Sequence, residues 1–256
     1  YPQIKSVVWC PPAGQTGFSA LGEVLAGKTN PSGKTSDTFV KDLSQTPTAN
    51  NFGSFMYDNV KEFVQHSSFG NNDVSPSFVN YSEGIYVGYK FYETASDEGL
   101  IDYDDTVQYP FGYGLSYTSF DQKMGDVKYD AKSGKISFDV TVTNTGSKSG
   151  KDVVEVYYNP PYTNGGIEKA TANLVDFEKT KELKPGESQT VKVEFDDDDM
   201  ASYDYQKAKA YVLEKGDYAI SIRSDSHHVI DSKDVTVKDT ITYDSKSNTH
   251  NGDKTV

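Results

Sequence analysis

The sequence predicts a partial α/β segment followed by an all-β, two-sheet sandwich. Three observations carry this reading. Alternating apolar and polar residues recur in short runs across residues 125–237. A nearly continuous apolar run, Ile4, Val7, Val8 and Trp9, precedes a loop and a helical stripe. Between the two regions lies Val107–Phe120, with five aromatics, two glycines and a proline but no Asp, Glu, His, Cys, Lys or Arg.

Ile4–Trp9 has the composition of a parallel strand covered on both faces. Pro11–Gly17 reads as a loop. Phe18, Leu21, Val24 and Leu25 then fall at helical spacing, and Gly27 ends the helix. Phe52, Phe55, Met56, Val60, Phe63 and Val64 give a second helical stripe. Tyr81–Tyr92 fits a strand or an aromatic-lined extended segment. A parallel strand needs neighbours on its edges and helices on its faces, yet only one βα unit is evident. Residues 1–106 are therefore expected to pack against polypeptide that this chain does not contain, and the Tyr1-Pro2 start suggests a fragment or processed product.

In the second region Ile136, Phe138, Val140 and Val142 alternate with polar residues, which buries one face of a strand and wets the other. Val154, Val156 and Tyr158 follow, then Val191, Val193 and Phe195. Tyr218, Ile220 and Ile222 come next, and Val235 with Val237 closes the series. Turns at Asn144–Gly146, Leu183–Glu187 and Lys215–Asp217 separate these runs. No Cys…Trp…Cys signature is present, which favours a fibronectin III-like sandwich over a disulfide-pinned immunoglobulin domain.

Composition excludes some functions. With 25 Lys plus Arg against 38 Asp plus Glu, the net charge of −13 opposes nucleic acid and anionic lipid. Arg223 is the only arginine. No apolar run approaches the roughly 18 residues of a membrane span. The single cysteine, Cys10, is expected to be a buried, inert thiol, and no zinc-ligand spacing exists. The 19 tyrosines and 13 phenylalanines suit strand faces.

Several stretches, in order, resemble the C-terminal part of glycoside hydrolase family 3, the β-glucosidase and β-xylosidase family. They are Val7–Trp9 with Gly14–Gly17 and Ala20–Leu25, Gly27–Lys34 with Thr38-Phe39, Tyr81–Tyr92, and Tyr109–Phe120. Val142–Gly146, Gly150–Val154, Leu183–Glu187 and Gly216–Tyr218 fit the family's fibronectin III-like module. The likeness covers residues 1–237. It implies the domain division 1–106, the end of the α/β domain; 107–124, a connector; 125–237, the sandwich; and 238–256, a polar tail or linker.

The chemistry the resemblance implies is retaining hydrolysis of β-glycosides, with nucleophile and acid/base carboxyls about 5–5.5 Å apart. In the family's usual order the nucleophilic Asp belongs to a β/α barrel and the acid/base Glu to a loop of the α/β domain. Both precede the segment represented by Ile4–Trp9, and neither motif has a match. No catalytic residue, metal ligand or cofactor is therefore assigned, and the substrate-binding residues stay unknown. The chain alone is expected to be inactive. Its expected partners are the polypeptide of the same enzyme that carries the barrel and acid/base and, through the complete enzyme, β-linked glucosides or oligosaccharides. Thr16 stands where the family commonly has Glu. Residues 41–80 resemble the family little and read as an insertion that covers a domain seam rather than bordering the substrate entrance. The rival reading is a stand-alone carbohydrate-binding or adhesion module.

Other polar clusters have plainer readings. Asp196–Asp199 follows a strand and lacks the ligand spacing of a calcium loop, so capping or solvation is preferred to metal binding. His227-His228 reads as a turn or a solvent-facing pair, and His66 and His250 lack a ligand pattern. Glu83 is assigned a structural hydrogen-bonding role and Glu98 an exposed turn. Asp239–Val256 reads as a mobile tail.

Overall fold

The computed structural model describes residues 3–49, 51, 55–66, 73–244 and 249–252. Its first element is α1 (Gly17–Leu25). Gly27, at φ +68°, closes that helix: its amide donates to Val24 O (2.9 Å), and Lys28 N donates to Glu23 O (2.9 Å). Next come β1 (Phe39–Val40), the two-residue ladder of β2 (Gln65–His66) with β3 (Asp73–Val74), α2 (Tyr89–Asp97) and the single turn α3 (Tyr103–Thr106). β4 (Val107–Tyr109) then returns to pair antiparallel with β1.

The strand expected at Ile4–Trp9 is not formed. Those residues lie outside every helix and sheet, and Trp9 is 70% exposed. A strand is held by its ladder, and no strand pairs with this run among the described residues; β1 meets it only through Phe39, whose ring packs edge-on to Trp9 at 5.5 Å. Cys10 is exposed for the same reason, contrary to the expected buried thiol. The second helical stripe is also absent. Phe52 lies outside the described residues, Phe55 bridges to Phe78, and only Val60–Phe63 coils, as a 3-10 turn. Tyr57 and Phe55 both pack on the Phe78 ring, at 4.7 and 6.0 Å, which draws the chain out of helical register. Tyr81–Tyr92 is neither strand nor extended throughout. Gly88, at φ +55° and ψ −138°, starts α2 in a conformation open to glycine alone.

The sandwich follows: β5 (Phe120–Met124), β6 (Lys128–Asp130), β7 (Lys135–Asn144), β8 (Val153–Asn159), β9 (Asn173–Lys179), β10 (Ser188–Asp196), β11 (Ser202–Asp204), β12 (Ala210–Leu213), β13 (Gly216–Arg223), β14 (Val229–Val237) and β15 (Ile241–Tyr243). One sheet has the order β10-β7-β5, with β6 also on β7; the facing sheet runs β14-β13-β8-β9, and β11-β12-β15 forms a third. All pairings are antiparallel. The register sets Ile136 opposite Phe195, Phe138 opposite Val193 and Val140 opposite Val191, so the alternation read from the sequence becomes one buried face. Val154, Val156, Ile220 and Ile222 meet it from the other sheet. Each such side chain contributes about 1.5–3 kcal/mol by leaving water.

The sandwich extends beyond its expected limits. β5, placed in the connector, pairs with β7 from Phe120↔Asn144 to Met124↔Val140. In the expected tail, β15 pairs with β12 and Tyr243 joins the core. Two apolar residues, Ile241 and Tyr243, suffice because an open edge of β12 receives them. Residues 245–248 and 253–256 of that tail lie outside the described residues. β8 departs from simple alternation: Val153, Glu155 and Tyr157 are buried along with Val154, Val156 and Tyr158. Its outer face is covered by the segment that precedes the sandwich.

Candidate functional site

That covering creates a polar seam. α2 buries Tyr92, Glu93 and Ala95. Glu93 Oε1 accepts from the Tyr103 hydroxyl (2.8 Å) and the Ser226 hydroxyl (2.7 Å), and Oε2 lies 2.8 Å from His227 Nδ1. The Tyr103 and His227 rings stack at 3.6 Å, nearly parallel. The hydrogen bond to Glu93 outweighs burial and holds the His227 imidazole above its usual range. Burial, reinforced by the Glu93 charge, drives the Tyr103 phenol far upward.

Beside this cluster Arg223 spends its fork on three acceptors: Ser221 Oγ (2.9 Å), Ser226 O (2.6 Å) and Asn159 Oδ1 (2.7 Å). Its guanidinium also lies 5.1 Å from the centre of the Tyr157 ring. The Tyr157 hydroxyl donates to Glu155 Oε2 (2.9 Å). Burial raises the Glu155 carboxyl to about 7, against the opposing pull of Lys34 and the Tyr157 hydroxyl. Sequence reasoning missed Glu93, Glu155 and Arg223. A lone arginine in an acidic chain was the one available signal.

The aromatic, glycine-rich stretch ties this seam to residues 30–35. Thr35 donates through Oγ1 to Pro110 O (2.6 Å) and through its amide to Tyr113 O (2.8 Å), while Gly112 N donates to Thr35 O (2.8 Å). Asn30 Oδ1 accepts from the Ser116 hydroxyl and Tyr117 N, and Asn30 Nδ2 donates to Ser149 O (2.9 Å). Phe111 stacks on Tyr89 at 4.7 Å, and Tyr89 meets Tyr157 edge-on at 6.0 Å. Gly114 has no space for a Cβ, which would collide with Gly33 O. With no titratable acid or base except tyrosine, the stretch positions its neighbours.

Glu83 and Glu98, the two acids singled out from the sequence, line one cleft of about 750 Å³. Glu83 is half-buried and accepts from Asn51 Nδ2 (3.2 Å), the structural role expected of it. Glu98 is exposed and caps the C-terminus of α2, just before Gly99 at φ +69°. Tyr86, Phe91, Tyr162, Asn164 and Lys169 are among the other lining residues. The Tyr86 hydroxyl donates to Glu168 Oε2 (2.5 Å), and Lys169 Nζ is bound by Pro161 O (2.6 Å) and Glu214 Oε2 (2.5 Å).

Asp196–Asp199 caps the 3-10 turn Asp197–Met200. Asp199 Oδ2 accepts from Asp196 N (3.1 Å), and Asp197 Oδ2 accepts from the Tyr129 hydroxyl (2.7 Å). Lys135 pairs with Asp196 (2.8 Å) and Asn251 N donates to Asp198 Oδ2 (3.0 Å). Carboxylate oxygens of Asp196, Asp198 and Asp199 lie within 4.8 Å of one another, and protein groups engage all three side chains. His227 and His228 occupy a turn, in which His228 is exposed and His227 half-buried. The turn is as expected; within it Glu93 holds His227, whose side chain is 33% exposed against 65% for His228. His66 pairs with Asp73 at the surface, and His250 stacks on Tyr211 at 3.8 Å.

Comparison with known proteins places this geometry in a family. Residues 1–89 match the glycosyl hydrolase family 3 C-terminal domain, a span that includes residues 41–80, and residues 152–226 match the fibronectin type III-like domain. Beta-glucosidase A of Butyrivibrio fibrisolvens is 38% identical over 84% of this chain and 25% of its own length. A beta-glucosidase structure from Paenibacillus barengoltzii aligns with TM-score 0.71 and 33% identity, over 88% of this chain and 22% of that one. Beta-glucosidase 3B from Thermotoga neapolitana, solved with alpha-D-glucose, aligns with TM-score 0.69 and 31% identity, over 88% and 27%. The chain thus spans about a quarter of the length of the relatives it matches. It belongs to glycoside hydrolase family 3, of which it forms a C-terminal region: the last part of the α/β domain followed by the fibronectin type III-like sandwich.

Proposed function

We propose that this chain is the non-catalytic C-terminal portion of a retaining β-glycosidase that hydrolyses terminal β-D-glucosides. Its work is to complete and brace the domain that supplies the acid/base. Residues 1–106 are the end of that α/β domain, Val107 to about Ser119 is the connector, and the sandwich begins at β5.

The observation that carries this reading is unequal closure. The sandwich has a full core, whereas α1, amphipathic by sequence, buries none of its residues, and Ile4, Val7, Val8 and Trp9 are exposed beside it. A helix of nine residues holds its shape chiefly by burying an apolar face, so α1 calls for a further surface. The seam around Glu93, Glu155 and Arg223 then transmits that docking to the sandwich, fixing the two units as one brace.

The test is to express the chain alone and within its parent polypeptide. The chain alone should leave an aryl β-glucoside uncleaved, and the folded parent should cleave it. Turnover by the isolated chain would refute the non-catalytic assignment, and a folded parent without turnover would refute the glucosidase reading.

A further inference from the structure

The cleft beside α2 has a lining that the bracing role does not use. Its apolar part comes from Phe91, Ala95 and Leu100, and Tyr86 and Tyr162 add aromatic surface. Glu98, Tyr162 and Asn164 each bring a polar side chain that makes no hydrogen bond among the described residues. These groups come from two separate elements, the end of α2 and the loop between β8 and β9. A concave site of this size with an apolar floor and a few convergent polar groups has the anatomy of a small-molecule site.

The chemistry of the lining selects the ligand. Glu98 offers acceptors only, Asn164 both donors and acceptors, and Tyr162 a hydroxyl with a ring face. Lys169 is the cation of the lining, and its ammonium is already held by Glu214 and Pro161 O. An anionic ligand would thus meet Glu83 and Glu98 without a free counter-charge. A neutral, hydroxyl-rich molecule satisfies the open groups, and the apolar face of a pyranose ring suits an aromatic side chain. The volume of about 750 Å³ accommodates two or three sugar rings.

We propose that this cleft binds neutral gluco-oligosaccharide, with Tyr162 as the stacking surface and Glu98 and Asn164 as hydroxyl partners. The choice of glucose units rests on the β-glucosidase reading; the neutral saccharide class follows from the lining.

The experiment titrates the full chain with cellotriose while amide resonances are followed by NMR. Saturable shifts at Tyr86, Glu98 and residues 162–171 are expected, with Kd on the order of 1 mM for so open a site. Tyr162→Ala and Glu98→Gln should each weaken binding at least fivefold, and Tyr203→Ala, an exposed tyrosine on β11, should leave it unchanged. Cellotriose bearing a terminal uronic acid should bind at least tenfold more weakly. No saturable shift at 20 mM cellotriose, or shifts indifferent to both cleft variants, would overturn the proposal. So would a parent enzyme in which these amides are shielded by its own polypeptide in the absence of sugar. Parent hydrolysis of an aryl glucoside is scored separately: its loss with cleft binding intact refutes the enzyme reading alone, and its persistence without cleft binding refutes the cleft alone.

Discussion

The Glu155 carboxylate lies against the bare Cα of Gly112. A Cβ built at Gly112 would overlap both carboxylate oxygens and stand 2.8 Å from Glu155 Cδ. Gly112 also holds φ at +81°, so alanine there meets backbone strain and a buried charge-bearing group together. Gly112→Ala should cost well above the roughly 1 kcal/mol of strain alone. Gly186→Ala supplies the comparison, since Gly186 has φ +77° but open space around its Cα. Urea unfolding of both variants checks this, and equal losses would show that the close approach carries no energy.

The same carboxyl makes stability fall as pH rises. In the folded chain Glu155 keeps its proton until about pH 7, whereas an unfolded glutamate releases it near 4.5. Between those values the folded state binds more protons, so the contribution is complete below about pH 4.5 and is lost as pH climbs through about 7. Its size is about 3 kcal/mol at most, from the shift in proton affinity. Glu155→Gln should remove this slope and leave the chain more stable than wild type at pH 8. Unfolding free energies of the two proteins from pH 5 to 8 provide the measurement.

How far these relationships could be read from sequence depends on their range along the chain. β7 was legible because one of its faces meets solvent, which leaves the period of two intact from Ile136 to Val142. β8 was half legible: Glu155 and Tyr157 look outward by parity, and only the segment packed over them makes that face internal. Glu93 was invisible, since its partners Ser226 and His227 are 133 and 134 residues away. The Ile4–Trp9 run was correctly seen as apolar, but strand geometry belongs to a pair, and its composition cannot supply the second member. Glu83 drew notice as an acid in a family-like stretch and Glu98 as an acid in an exposed turn, yet the loop residues Tyr162 and Asn164 that complete their cleft carry no motif.

Glu93 should act as the acceptor on which the seam depends. Glu93→Ala strips partners from Tyr103, Ser226 and His227 at once, and loss of a buried, multiply bonded carboxylate costs about 3–5 kcal/mol. Glu93→Gln preserves shape while removing charge, so its effect appears in the proton balance. Wild-type His227 is expected to titrate above 6.5 and to move down in Glu93→Gln. Because the folded value is raised, the His227 contribution is full below 6.5 and disappears as pH rises through the folded value. NMR titration of the imidazole resolves the shift; an unchanged midpoint would remove Glu93 as its cause.

The end of the chain offers a sharper test of what belongs to the fold. Tyr243 is 7% exposed, packs with the sandwich core, and lies on β15 opposite Tyr211 of β12. Removing its ring leaves both a transfer loss and a cavity, so Tyr243→Ala should cost about 3 kcal/mol. Cutting the chain after Asp244 keeps β15 and removes the His250 stack on Tyr211 and the Asn251 bond to Asp198. Those contacts are half-exposed, so that truncation should cost under about 1 kcal/mol. Cutting after Asp239 removes the strand itself and should match or exceed the point substitution. Thermal melts of the three proteins separate the possibilities: if only the longest deletion mattered, pairing of β15 with β12 rather than burial of Tyr243 would hold the end in place.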